Sequence, residues 1–155
     1  MTAAPPPGRL GEPRSRCVID CAGAQLHVHA RSVATVLRIE GEIDASNADL
    51  VAQAIRRFAR LKAPLVLDVS HLEFLGSAGL RALLLLDEEH RQARLHCNVV
   101  SGAALRRLTG MASDHGLPVV DSVPEALQNT HESVHARRQL RSRLARQREP
   151  QRNTD

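Results

Sequence analysis

Alternating and continuous stretches of hydrophobic residues predict three strands in the first half of the chain. Over residues 25–30, Leu26 and Val28 share one side and the polar residues the other, which is the period of a half-buried strand. A second strand is predicted over 33–40, and it ends in the motif G-E-I-D. The nearly unbroken apolar run at 65–69 indicates a third strand, buried on both faces.

Apolar residues at helical spacing separate these strands. From Leu50 to Leu61 they recur every three or four positions, and Ser46 with Asp49 gives the S-x-x-D signal of a helix start. The other predicted elements are helices over 77–92 and 103–111, strands over 95–100 and 118–120, and a helix with Pro124 in its first turn.

The predicted element order is β-β-α-β-α-β-α-β-α. Strands joined through helices imply right-handed crossovers onto a largely parallel sheet, and the N-terminal hairpin adds an antiparallel edge. We therefore expect an α/β fold in one domain, with a mixed, largely parallel sheet of four to five strands flanked by about four helices. Composition divides the chain into a flexible Pro/Arg leader (1–16), a domain (17–128) and an Arg-rich tail (129–155).

The charge of the chain lies at its ends. The net charge is +4, but residues 131–155 contribute +4, residues 1–16 contribute +2, and residues 17–130 stand at −2. Such a domain, with two Phe and no Tyr or Trp, is not expected to bind nucleic acid specifically. The tail is predicted to be a solvated extension, and the alternative is a segment that binds anionic lipid, nucleic acid or an acidic partner.

Three blocks of sequence carry a family resemblance: G-E-I-D at 41–44, L-D-V-S at 67–70 and L-E-F-L-G-S-A-G-L at 72–80. In these blocks the chain resembles the STAS family, and within it the bacterial anti-sigma factor antagonists, over about residues 26–127. The resemblance implies a STAS-like fold and a non-enzymatic switch without a cofactor. In that family the antagonist binds an anti-sigma factor that is also a serine kinase, which frees the sigma factor. Phosphorylation of one serine ends the binding, and a serine phosphatase restores it.

By its place in the resemblance, Ser77 is the phosphoacceptor. Its hydroxyl is expected at a helix N-terminus, where free N–H groups and the positive end of the helix dipole tolerate a phosphate. A docked partner would be displaced, because the phosphate adds bulk and a charge that must be desolvated. The alternative is that Ser77 only caps the helix. Gly76 stands where the family usually carries Asp, and Ala78 stands where Ser or Thr is common.

The resemblance also places a partner-binding surface around this serine. Asp44 and Ser46 are expected to flank it across the ends of adjacent strands, although Asp44 could instead help to start the following helix. Gly79 would permit the close approach of a partner or of a neighbouring loop. The predicted partner-binding residues are Asp44, Ser46, Gly76, Ser77, Ala78 and Gly79. The alternative function is a constitutive STAS module, either a scaffold, a lipid-transport accessory or a small-ligand sensor.

Catalysis and metal binding find less support in the sequence. A hydrolase elbow, G-x-S-x-G, needs glycine two positions before the serine, where Leu75 stands, and no nucleotide-binding glycine motif is present. His27 and His29 share one face of a strand, but no third ligand has a defined spacing from them. Exposed strand histidines are therefore predicted rather than a metal site.

The cysteines and the N-terminus indicate the compartment. Cys17, Cys21 and Cys97 form neither a disulfide framework nor a metal-binding pair, so they are expected to be reduced, with oxidant sensing as the alternative. The N-terminus lacks the apolar segment of a signal peptide, and the apolar run at 83–86 is too short to span a bilayer. We therefore predict a soluble, cytoplasmic protein without a transmembrane segment.

Overall fold

The computed structural model describes residues 17–110 and 116–148 of the chain, which form seven strands and four helices. The strands are β1 (Cys17–Asp20), β2 (Ala24–Ala30), β3 (Thr35–Ile43), β4 (Leu65–Asp68), β5 (Leu72–Leu75), β6 (Cys97–Val100) and β7 (Val119–Val120). The helices are α1 (Ala48–Ala59), α2 (Ser77–Gln92), α3 (Ala103–Thr109) and α4 (Val123–Arg148).

One mixed sheet contains all seven strands, in the order β1-β2-β3-β4-β6-β7, with β5 also paired to β3. The pairs β1–β2 and β2–β3 are antiparallel, and every other pair is parallel. The long strand β3 pairs with β4 through its first half and with β5 through its last residues. The carboxyl ends of β3 and β5 therefore meet at one edge of the sheet, just before α1 and α2 begin. The α/β class and the largely parallel sheet are confirmed.

Two short strands and one helix start differ from the sequence prediction. The sequence predicts four to five strands, and the structure adds β1 and β5, whose pairing with β2 and β3 supplies the backbone hydrogen bonds that hold them. Helix α1 begins at Ala48 with Asn47 as its N-cap, so the predicted start at Ser46 is wrong. The predicted bounds of α2 are confirmed.

The core lies on both faces of the sheet. Strand β4 is buried at every position, as its apolar run predicts. One face packs against α1, α2 and α3 through a large cluster that includes Ile55 and Leu83, and the other face packs against α4 through a smaller cluster around Ala126. Adjacent β3 residues such as Val36 and Leu37 enter opposite clusters, as the two-residue strand period requires.

Helix α4 does not end where the composition changes. The composition predicts an Arg-rich tail from residue 129, but α4 continues without a break to Arg148. Thr130 is fully buried, and its hydroxyl accepts a hydrogen bond from the side-chain amide of Asn98 on β6 (3.3 Å). Three predicted parts lie outside the described residues: the leader (1–16), Met111 at the predicted end of the third helix, and residues 149–155 of the tail. None of the helices in the described part combines the length and apolar character that a bilayer crossing requires.

Candidate functional site

Ser77 is the first residue of α2, and its side chain is exposed. Gly76, in extended conformation (φ −86°, ψ 172°), is the N-cap, so the alternative in which Ser77 caps the helix is wrong. The first turn of α2 contains no acidic residue, and no side chain of the described residues caps it by a hydrogen bond. Its first N–H groups, at the positive end of the helix dipole, are therefore open to an added acceptor.

Parallel pairing brings the end of β3 beside the start of α2. The Gly76 amide donates a hydrogen bond to the carbonyl of Ile43 (2.8 Å), and a Cβ on Gly76 would lie 3.7 Å from the Cα of Asp44. The structure thus brings Asp44 next to the residue that precedes Ser77, as expected for the ends of adjacent strands. We call Asp44, Ser46, Phe74, Gly76 and Ser77 the Ser77 surface.

Asp44 and Ser46 form a local turn on this surface. One carboxylate oxygen of Asp44 accepts hydrogen bonds from the Ser46 amide (2.9 Å) and from the Ser46 hydroxyl (2.5 Å). These bonds, chiefly that from the hydroxyl, hold the pKa of Asp44 below its usual value because they favour the charged form. Asp44 therefore adds a negative charge beside Gly76, and the Ser46 side chain is used in the turn rather than in capping α1.

Phe74 belongs to this surface and was missed from the sequence. Its side chain is 49% exposed, and its ring lies 3.4 Å from the position of a Cβ on Gly76. Aromatic side chains are enriched in the anchors of protein interfaces, because they bury a large apolar area at little entropic cost. The available signal was that Phe74 is one of only two aromatic residues in the chain and stands three positions before Ser77.

Asn47 holds the same edge together from inside and was also missed. The residue is 2% exposed. Its side-chain oxygen accepts a hydrogen bond from the Asp44 amide (2.9 Å), and its nitrogen donates to the carbonyls of Glu42 (2.8 Å) and Ala22 (3.3 Å). This one side chain joins the turn after β3 to the turn between β1 and β2. A capping-type residue directly before a helical apolar pattern was the sequence signal.

Gly79 permits a close approach, but the approach is internal. The residue is buried, and a Cβ there would lie 2.5 Å from the Leu75 Cδ1 and 2.8 Å from the Ile43 Cγ2. Half-buried Ala78 packs against the same core. We therefore assign Gly79 to packing within the chain and not to contact with a partner.

The other polar candidates have local partners. Asp68, at the end of β4, accepts hydrogen bonds from the Ser70 amide (3.0 Å) and hydroxyl (2.5 Å), which confirms its predicted local role. The His27 Nε2 lies 3.1 Å from a carboxylate oxygen of Glu40 on the neighbouring strand. Within residues 17–110 and 116–148, no three side chains of the metal-binding types come together.

The three cysteines are free thiols that differ in access. Cys17 is exposed, whereas Cys21 and Cys97 are buried. Burial, with a smaller contribution from Asp87, raises the pKa of Cys97 to about 12. Since the thiolate is the nucleophile, Cys97 has almost none of its reactive form at neutral pH.

We expect iodoacetamide at about pH 8, near the ordinary thiol pKa, to modify Cys17 in the folded protein while Cys97 stays unmodified. Peptide mass spectrometry over a time course would measure the two rates, and the same reaction in denaturant should modify all three cysteines. Modification of folded Cys97 as fast as Cys17 would contradict the buried placement.

Comparison with known proteins agrees with this architecture. The model of the STAS domain family matches residues 18–113. The chain is 35% identical to osmosensory protein A of Mycobacterium tuberculosis over 127 residues. The matched region covers 79% of this chain and 80% of that protein.

Solved structures that are similar to this one include two bacterial proteins. An anti-sigma factor antagonist from Mycobacterium paratuberculosis has a TM-score of 0.60 and 30% identity, over 70% of this chain and 94% of the other. An RsbS variant from Moorella thermoacetica has a TM-score of 0.57 over 71% of this chain and 97% of the other, and at 18% identity the likeness is one of fold. On the extent of the family match, the chain belongs to the STAS domain family.

Proposed function

We propose that this protein is an anti-sigma factor antagonist whose binding is switched by phosphorylation of Ser77. The unphosphorylated form binds an anti-sigma factor with serine kinase activity and so frees a sigma factor in the cytoplasm. The kinase modifies Ser77, and a serine phosphatase removes the phosphate. The similarity to the M. paratuberculosis antagonist supports the class of protein. The exposure of Ser77 at the start of α2 is the observation that carries the proposal.

The local electrostatics favour a switch that leaves the fold intact. A phosphate carries a charge of roughly −1.5 to −2 at neutral pH, and the uncapped N–H groups of α2 offer it hydrogen bonds. The side chain of Ser77 is exposed, so the added group displaces nothing from the core. Binding changes instead, because the phosphate joins the ionised Asp44 on one surface, and a docked partner would have to desolvate both charges.

Ser77→Asp is expected to weaken binding to the cognate anti-sigma factor by at least about tenfold, because a buried interfacial charge without a partner costs more than 1.4 kcal/mol. Ser77→Ala should bind within a few-fold of the unaltered chain. Titration calorimetry against candidate anti-sigma factors would measure both dissociation constants.

Ser32→Asp is the matched control, because Ser32 is also exposed but lies in the turn between β2 and β3, before the first residues of β3. This variant should bind like the unaltered chain. If Ser77→Asp binds as tightly as the unaltered chain, the switch proposal is wrong.

Gly76 favours a second function, a STAS module that binds its partner constitutively, as a scaffold, a lipid-transport accessory or a small-ligand sensor. Antagonists of this family usually carry Asp at this position. Packing does not exclude Asp here, since the nearest atom to a Cβ, on the Phe74 ring, would be 3.4 Å away. To separate the two functions, the unaltered chain and the Gly76→Asp variant are each incubated with the partner kinase and ATP. Mass spectrometry then locates any phosphate. Phosphate on Ser77 of the unaltered chain supports the switch. Phosphate on the Gly76→Asp chain alone, or on neither chain, supports the constitutive module.

A further inference from the structure

The C-terminal half of α4 extends a strongly basic surface from the domain. Residues 135–148 contain six arginines and no acidic residue. Residues 135–147 of this segment are all exposed. The helix is anchored to the sheet through its first half, where Ala126 and Thr130 are fully buried. The basic half is therefore presented by a fixed helix rather than by a flexible tail.

A cationic groove lies beneath this helix, at the amino ends of the parallel strands. Its volume is about 590 Å³, and the described residues that line it include no carboxylate. Pro64 and His96, which directly precede β4 and β6, line it, so the groove lies at the opposite edge of the sheet from Ser77. The cationic side chains along it are Lys62, Arg94, Arg137, Arg138 and Arg141.

Exposed leucines lie among these cations. Leu140 lines the groove and is 58% exposed, and Leu144, one turn further along α4, is 45% exposed. Leu61, adjacent to Lys62, is 66% exposed. Three of the seven exposed large hydrophobic side chains in the described part of the chain thus stand next to cationic residues of this end.

We propose that this end of the molecule, with α4 residues 137–146 and Leu61–Lys62, docks on the surface of membranes that contain anionic phospholipids. Cations attract the headgroup phosphates, and leucine side chains enter the boundary between headgroups and acyl chains. The leucines favour a membrane over nucleic acid, because phosphate backbones offer no apolar layer for them. The described chain also has no exposed Phe, Tyr or Trp at this end on which bases could stack. The inference does not depend on the proposed switch at Ser77.

Co-sedimentation of the full chain with vesicles tests the docking. We expect binding to mixed phosphatidylglycerol and phosphatidylcholine vesicles, little binding to phosphatidylcholine alone, and weakening from about 0.1 M to about 1 M salt as screening shortens the reach of the charges. Arg138→Gln/Arg141→Gln should lower the partition coefficient about 25-fold, since each cation near an anionic surface contributes about fivefold. Leu140→Ser/Leu144→Ser should lower it about tenfold.

Matched variants on other surfaces control for charge and hydrophobicity. Arg106→Gln/Arg107→Gln removes an exposed pair from α3, and Leu85→Ser removes an exposed leucine from α2. Both should partition within about twofold of the unaltered chain. The inference fails if vesicles without anionic lipid bind equally well, or if the leucine pair has no effect. It also fails if a DNA duplex binds while the vesicles do not.

Discussion

Replacement of Gly41 by alanine is expected to destabilise the fold by about 3 kcal/mol or more, through backbone strain and steric overlap together. Gly41 has a φ of +93°, which residues with a side chain rarely adopt. A Cβ there would overlap the carbonyl oxygen of Gly23 and lie 3.2 Å from the Cα of Ala24, its partner on β2. Both neighbours are backbone atoms, so the strands would have to separate. Urea denaturation followed by circular dichroism would measure the loss.

Gly116→Ala separates the two contributions. Gly116 also has a positive φ, +78°, but among the described residues a Cβ there would have no neighbour within 4 Å. Only the strain of the backbone remains, and we expect a loss of about 1–2 kcal/mol. Equal losses at the two positions would contradict the overlap with Gly23.

Gly79→Ala is expected to destabilise the protein by about 1–3 kcal/mol, which is the cost of overpacking a core. The sign is opposite to the usual one, because replacing glycine by alanine inside a helix ordinarily stabilises it by roughly 0.5–1 kcal/mol. Here the added methyl group would meet Leu75 and Ile43 at 2.5 and 2.8 Å. Gly79→Val should lose more, and the midpoint of thermal unfolding would rank the variants.

Gly76→Ala, at the N-cap of the same helix, is the comparison. Its Cβ would make only ordinary van der Waals contact, at 3.4 Å from Phe74, so the loss should stay near the cost of a poorer cap, about 1 kcal/mol or less. A stabilising Gly79→Ala would show that α2 does not press on β3 and β5 as described.

The sequence predicts those elements whose own pattern is long or strong. Helix α2 is bounded as predicted, and the uninterrupted apolar run of β4 matches its burial on both faces. Strands β1 and β5 have four residues each and too little periodicity to be recognised, so they depend on pairing with neighbours distant in sequence. The charge-rich composition after residue 129 likewise hides the continuation of α4, which depends on the anchoring of its first half.

At the candidate site, the motif predicts where a residue lies along the fold better than whether it faces the core or the solvent. It places Ser77 at the start of α2 and Asp44 beside it, because both follow strand ends at one edge of a parallel sheet. It does not reveal that Gly79 faces inward. Glycine is required wherever another group comes close to the backbone, whether that group belongs to the same chain or to a partner. Two hydrogen bonds of Asn47 are local, but the third reaches Ala22, 25 residues away, and no local pattern could predict that link.

The close packing of the first turn of α2 against the sheet affects how fast the proposed switch can respond. Gly79 packs closely against Ile43 and Leu75, so these side chains oppose a shift of the helix start toward β3 and β5 when a group is added to its outer side. If Ser77 is phosphorylated as proposed, the phosphate group itself changes binding, and the backbones of the phosphorylated and unphosphorylated forms should superimpose. No slow rearrangement of the fold would then separate phosphorylation from the change in binding. The rate of the response would therefore be set by the kinase and the phosphatase.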